Sequence, residues 1–73
     1  MQTFSYIITD LTDRESKPIE VQLATHDEAV MYGTLLAREM LADMPDLTTK
    51  GMCVTIRDGQ GETISILPFD SVN

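Results

Sequence analysis

The chain has 73 residues, 12 Asp and Glu against 5 Lys and Arg, a formal charge of −7 and one cysteine. That length bounds it to a single domain over residues 1–73, near the lower size limit for folding alone, and the lone Cys53 excludes an internal disulfide. Its acidity repels phosphates at long range, and Arg14, Lys17, Arg38, Lys50 and Arg57 form no run, so direct binding of nucleic acid or anionic membrane is not expected.

Residues 3–10, TFSYIITD, alternate: Phe4, Tyr6 and Ile8 point one way, Ser5, Ile7 and Thr9 the other, the pattern of a strand with one buried face. Residues 1–10 carry no basic segment ahead of an unbroken apolar run, so no signal peptide is read there. No apolar run in the chain approaches a membrane span, and a cytoplasmic location is the default expectation. Residues 11–17 form a polar connection suited to a loose hairpin. Pro18 then leads into a second strand, where Ile19, Val21 and Leu23 alternate with Glu20 and Gln22.

Residues 25–44, THDEAVMYGTLLAREMLADM, read as the only helix. Thr25 can N-cap it, with Glu28 three residues on to complete a capping box, and Asp27 and Glu28 suit the helix dipole. Ala29, Gly33, Leu36, Ala37, Met40 and Met44 recur at helical spacing as a buried face widened by Val30 and Leu41; Asp27, Thr34 and Arg38 mark the wet side. Pro45 ends the helix.

Residues 46–51 return the chain, with a bend at Gly51. Residues 52–58 form a third strand, Met52, Val54 and Ile56 inward and Cys53, Thr55 and Arg57 outward. Asp58-Gly59-Gln60-Gly61 is a glycine-bearing hairpin turn into a fourth strand over residues 62–67, with Ile64 and Ile66 inward. Pro68 belongs at a strand end or edge, and Phe69 and Val72 fold back on the core. The order is ββαββ: an α+β fold whose four-stranded, mainly antiparallel sheet carries the helix on one face. Strand order is not legible. The opposite face takes Ser5, Ile7, Thr9, Glu20, Gln22, Cys53, Thr55, Arg57, Thr63, Ser65 and Leu67, a mostly polar set suited to solvent. Ile7, Cys53 and Leu67 leave room there for a modest contact patch.

His26 and Cys53 could make a nucleophilic dyad, but His26 opens the helix and Cys53 begins the strand returning beside its other end. Asp10, Asp13 and Glu15 lack the spacing of an EF-hand loop and read as a solvated acidic loop. The Asp58–Gly61 turn has neither the following helix nor the lysine of a phosphate loop. Asp27 and Glu28 are explained by capping rather than by acid–base chemistry. No catalytic residue, cofactor or metal is therefore expected. Met31, Tyr32 and Leu35 widen the apolar helix surface beyond what one sheet face covers, and are the candidate protein-contact residues.

Three features together resemble the short bacterial proteins of domain-of-unknown-function family 6894. They are the aromatic first strand ending in Asp10, the helix reached through LATHDEA and continuing to AREMLAD, and the hairpin VTIRDGQGETISILPFDSV with its D-x-x-G…LPF-D-x-V pattern. The resemblance spans nearly the whole chain and implies no activity or site. It departs at the front: family members often carry a His in the first strand, then an Asp-Gly turn and an acidic Glu-Gly segment. Here Tyr6-Ile7-Ile8 and LTDRESKP stand instead, so any role of that His is absent. The functional expectation is a small non-catalytic protein-interaction module, a homodimer or bound to another protein. The alternative is a regulatory or antitoxin-like accessory domain acting through a partner protein.

Overall fold

The computed structural model describes residues 1–71. Its sheet has strands β1 (Gln2–Thr9), β2 (Ile19–Leu23), β3 (Cys53–Arg57) and β4 (Thr63–Pro68), and one α-helix, α1 (His26–Asp43), packs on it. The sheet is antiparallel throughout in the order β2-β1-β3-β4. β2 and β3 therefore run parallel on either side of β1, and α1 crosses over β1 to join them. β1 and β3 occupy the centre, where both neighbours shield them, and they hold the buried residues of the sheet. The fold is α+β, as the pattern of the chain predicts.

The start of α1 follows the sequence closely. The Glu28 amide donates to Thr25 Oγ1 at 3.1 Å, and Glu28 Oε1 accepts from the amides of Thr25 and Ala24 at 3.2 and 3.0 Å. This closes the capping box on donors that an α-helix otherwise leaves unpaired. Thr25→Ala is expected to cost about 1 kcal/mol, a fall of about 4–8 °C in the unfolding midpoint of a domain this size. A calorimetric scan that shows no fall would mean that the cap is not used in solution.

Ala29, Gly33 and Ala37 form the buried line of α1, small residues that let the helix come close to the sheet. They face Phe4, Tyr6, Ile8, Val54 and Ile56, with Leu36, Met40 and Leu41 partly buried around them. Met44, expected on that face, is instead half-exposed: it caps the helix with φ −136° and ψ 77°, having left helical geometry ahead of Pro45. Phe69 is fully buried, as expected. Val72 lies outside the described residues.

Four further expectations are corrected. Residues 46–51 are not a simple return. Pro45 starts a 3-10 helix over Pro45–Lys50, since its fixed φ suits a first helical position, and Leu47 joins the core from it. A second 3-10 turn over Phe69–Ser71 follows β4, so α1 is not the only helical segment. In β4 the inward and outward sides exchange. A bulge opposite Ile56/Arg57 inserts one residue, so that Thr63 pairs with Arg57 but Ser65 with Ile56. One extra residue reverses every later side chain. Ile64 still packs on the core, but Leu67 now sits opposite Val54 on the helix side, while Ile66 sits opposite Thr55 and is 45% exposed.

The fourth correction concerns the sheet face away from α1. Ile7, Thr9, Cys53 and Thr55 were expected to be wet and are buried. All four lie on the central strands, in rows that the register makes Ile7–Thr55–Ile66 and Thr9–Cys53–Pro68. Of the four, Thr55 and Cys53 are small side chains on β3 flanked on both sides, by Ile7 and Ile66 and by Thr9 and Pro68. The connection after β1 also folds up against the strand end: Thr9 bridges to Glu15, and Thr9 Oγ1 donates to the Arg14 carbonyl at 2.6 Å.

Candidate functional site

The outward side of α1 is the candidate contact surface. Among the three residues singled out from sequence, Met31 is 67% and Leu35 57% exposed, next to each other one turn apart. Tyr32 differs: at 38% exposure it is half committed to the fold, its ring 5.2 Å from that of Tyr6 and tilted by 56°. Tyr32 therefore forms the edge of the surface and anchors it to the core.

Residues four apart on a helix make ridges. Here Asp27, Met31 and Leu35 form one and Val30, Thr34 and Arg38 the next, and a shallow groove runs between them. Thr34 is turned back along its own ridge, its hydroxyl donating to the Val30 carbonyl at 3.0 Å. The apolar centre of this surface is legible from Met31 and Leu35. The second ridge was not, because Thr34 and Arg38 read as ordinary solvent-facing residues and Val30 as part of the buried face; the spacing of Val30, Thr34 and Arg38 was the available signal.

Beneath α1, the Tyr6 hydroxyl donates to the Ala29 carbonyl at 2.7 Å. Burial, and then the neighbouring Tyr32, push the Tyr6 phenol from 10.0 up to about 12. A phenol whose ionisation is raised by folding contributes stability that is whole below pH 10.0 and lost as pH rises through about 12. In Tyr32→Phe, which leaves Tyr6 as the only tyrosine, phenolate absorbance is expected to rise together with loss of the circular-dichroism signal. A titration near pH 10.0 with the fold intact would contradict the buried hydrogen bond.

The other groups with potential chemistry are held apart or engaged. The His26 ring meets Phe4 edge-on at 5.6 Å, while the buried Cys53 thiol donates to the Thr9 carbonyl at 3.4 Å. Phe4 and Thr9 are five residues apart on β1, about 17 Å at the strand rise, so no dyad is assembled. Asp10 Oδ1 accepts from the amides of Thr12, Asp13 and Arg14 at 2.9, 3.2 and 3.1 Å. The Thr12 amide above all, and then that of Arg14, hold its carboxyl well below the usual carboxylate range. Asp10 thus organises the loop in which Leu11 takes φ 69°, a left-handed conformation unusual for leucine. No group of three or more His, Cys, Asp or Glu residues that could hold a metal ion occurs among the described residues.

Asp58 plays a similar part in the β3–β4 hairpin. Its Oδ1 accepts from the amides of Gln60 and Glu62 at 2.9 and 3.0 Å, and Gly61 takes φ 84°. A second hollow, missed from sequence, lies at one end of the sheet on the face away from α1. Leu11, Cys53, Ile66 and Pro68 line it together with Met52 and Asp70. The bulge that turns Ile66 outward creates it, and alternation alone gives no sign of that bulge.

No helix among the described residues is long and apolar enough to cross a membrane. Comparison with protein-family models, curated proteins and solved structures finds no match for this chain.

Proposed function

We propose that this protein is a small, non-catalytic protein-interaction module of the cytoplasm, which binds through the outward side of α1. The observation that carries the reading is the exposure of Met31 and Leu35, 67% and 57%, side by side on a rigid helix. Two large apolar side chains held out together in water gain when a partner removes them from it, and methionine adapts to the surface it meets. Tyr32, braced against Tyr6, supplies an aromatic rim of the kind enriched at protein contacts. The resemblance to family 6894 belongs to the same proposal and adds no activity of its own.

The test is comparative capture from the source cell on immobilised wild-type chain and on Leu35→Asp, which places a charge in the middle of the surface. Leu35 is exposed, so the substitution is expected to leave stability within about 0.5 kcal/mol. Proteins retained by the wild type and lost at least tenfold on the variant support the reading. A retained set that does not respond to Leu35→Asp removes this face as the contact.

A further inference from the structure

Resting on that reading, we infer that the occupant of the α1 face is a second copy of this chain, packed antiparallel about a two-fold axis. The face is self-complementary in both shape and charge. Asp27 and Arg38 stand at opposite ends of the groove, and the midpoint between them falls between Tyr32 and Gly33 along the helix. Each therefore lies about 8 Å from that midpoint at the helical rise. Met31 and Leu35 are centred within about 1 Å of the same point. A two-fold placed there lays the Met31–Leu35 pair of one copy on that of the other.

Charge decides the direction. With the helices antiparallel, Asp27 of each copy approaches Arg38 of the other, two opposite-sign encounters generated by one axis. With the helices parallel, Asp27 meets Asp27 and Arg38 meets Arg38. The ridge Asp27–Met31–Leu35 can then seat in the groove beside the ridge Val30–Thr34–Arg38 of the facing copy, the usual manner of helix packing. The contact is small. The 18 residues of α1 make a strip about 27 Å long and about 10 Å wide. That falls short of the roughly 800 Å² per partner of a standard interface, so the assembly is expected to be weak and concentration-dependent.

Sedimentation equilibrium from micromolar to millimolar chain tests this at about 0.15 M salt, where charges beyond about 8 Å are screened. The wild type is expected to pass from monomer to dimer across that range. Leu35→Asp, and independently Met31→Lys, should abolish the dimer. Asp27→Arg and Arg38→Asp should each weaken it by on the order of tenfold. The exchange Asp27→Arg with Arg38→Asp should recover most of the loss, because each opposite-sign encounter is restored with its members swapped. Unfolding midpoints are read beside each measurement, since Asp27 also serves the first turn of α1.

A wild type that remains monomeric at millimolar concentration overturns the second copy as occupant. So does an exchange variant no better than the single substitutions, which removes the antiparallel register. If the chain is monomeric while Leu35→Asp still abolishes capture of a cellular protein, only this inference fails. If capture is also indifferent to Leu35→Asp, the reading beneath it fails too.

Discussion

Phe69→Ala is expected to remove a large share of the stability of this protein. Phe69 is fully buried although it follows the last strand, because the 3-10 turn over Phe69–Ser71 folds it back under α1 and the Pro45–Lys50 segment. Its amide donates to the Met52 carbonyl at 3.2 Å, which ties that turn to the segment leading into β3. Truncating a buried phenylalanine costs about 3–5 kcal/mol. A chain of 73 residues has roughly 4–11 kcal/mol in total, so the variant should lose from about a quarter of its stability to all of it. Urea denaturation measures the loss, with Phe69→Leu as the milder substitution expected to cost under about 1.5 kcal/mol. A loss below about 1 kcal/mol for Phe69→Ala would show that this terminal turn is not part of the cooperative core.

Gly33→Leu is expected to have the second large effect, by the opposite mechanism. Gly33 is where α1 comes closest to the sheet. A Cβ built there meets Ile56 Cδ1 at 2.7 Å, Leu67 Cδ1 at 3.1 Å and Tyr6 Cε2 at 3.2 Å. Leucine adds three more carbons to a space already filled. The helix must lift from the sheet, straining the Tyr6–Ala29 hydrogen bond, and a loss of about 3 kcal/mol or more is expected.

Gly33→Ala separates the contributions. Alanine gains about 1 kcal/mol in helix propensity over glycine, against the end of the Ile56 side chain, which must move most, and Leu67 Cδ1 and Tyr6 Cε2, which must give by a few tenths of an ångström. Ile56→Val removes that terminal carbon. The pair Gly33→Ala with Ile56→Val is therefore expected to be more stable than the sum of its parts, by about 0.5–1.5 kcal/mol in a double-mutant cycle. Strict additivity would mean that Gly33 and Ile56 do not meet as described.

These two sites also show how far the sequence could be read. Gly33 was placed on the buried face from its spacing with Ala29 and Ala37, and Phe69 was assigned to the core. What spacing could not convey was which atoms each would touch. Leu67 beside Gly33 is the instructive case. Counting alternate residues back from the strand end puts Leu67 outside, and the single residue inserted opposite Ile56/Arg57 brings it inside. A bulge has no residue signature of its own here, because Thr63, Ile64 and Ser65 all suit a regular strand.

The candidate site divides in the same way. Met31, Tyr32 and Leu35 were legible as surplus apolar residues on the helix. That Tyr32 is half engaged by Tyr6, whereas Met31 and Leu35 stand clear, depends on the distance between α1 and β1. The polar ends of the groove, Asp27 and Arg38, acquire meaning only once the ridge geometry is known.

Local chemistry in the chain was sufficient for α1 and the four strands, though not for the two 3-10 segments. Thr25 and Glu28 start the helix, Pro45 stops it, period-two alternation makes the strands, and Asp58 with Gly61 turns the last hairpin; these are short-range effects, complete within a few residues. The order β2-β1-β3-β4, the burial of Thr9, Cys53 and Thr55, the inward turn of Leu67 and the recruitment of Leu47 were settled only in the assembled structure. Each depends on which segments lie side by side, a competition among long-range packings for the same apolar surface that no window along the chain contains.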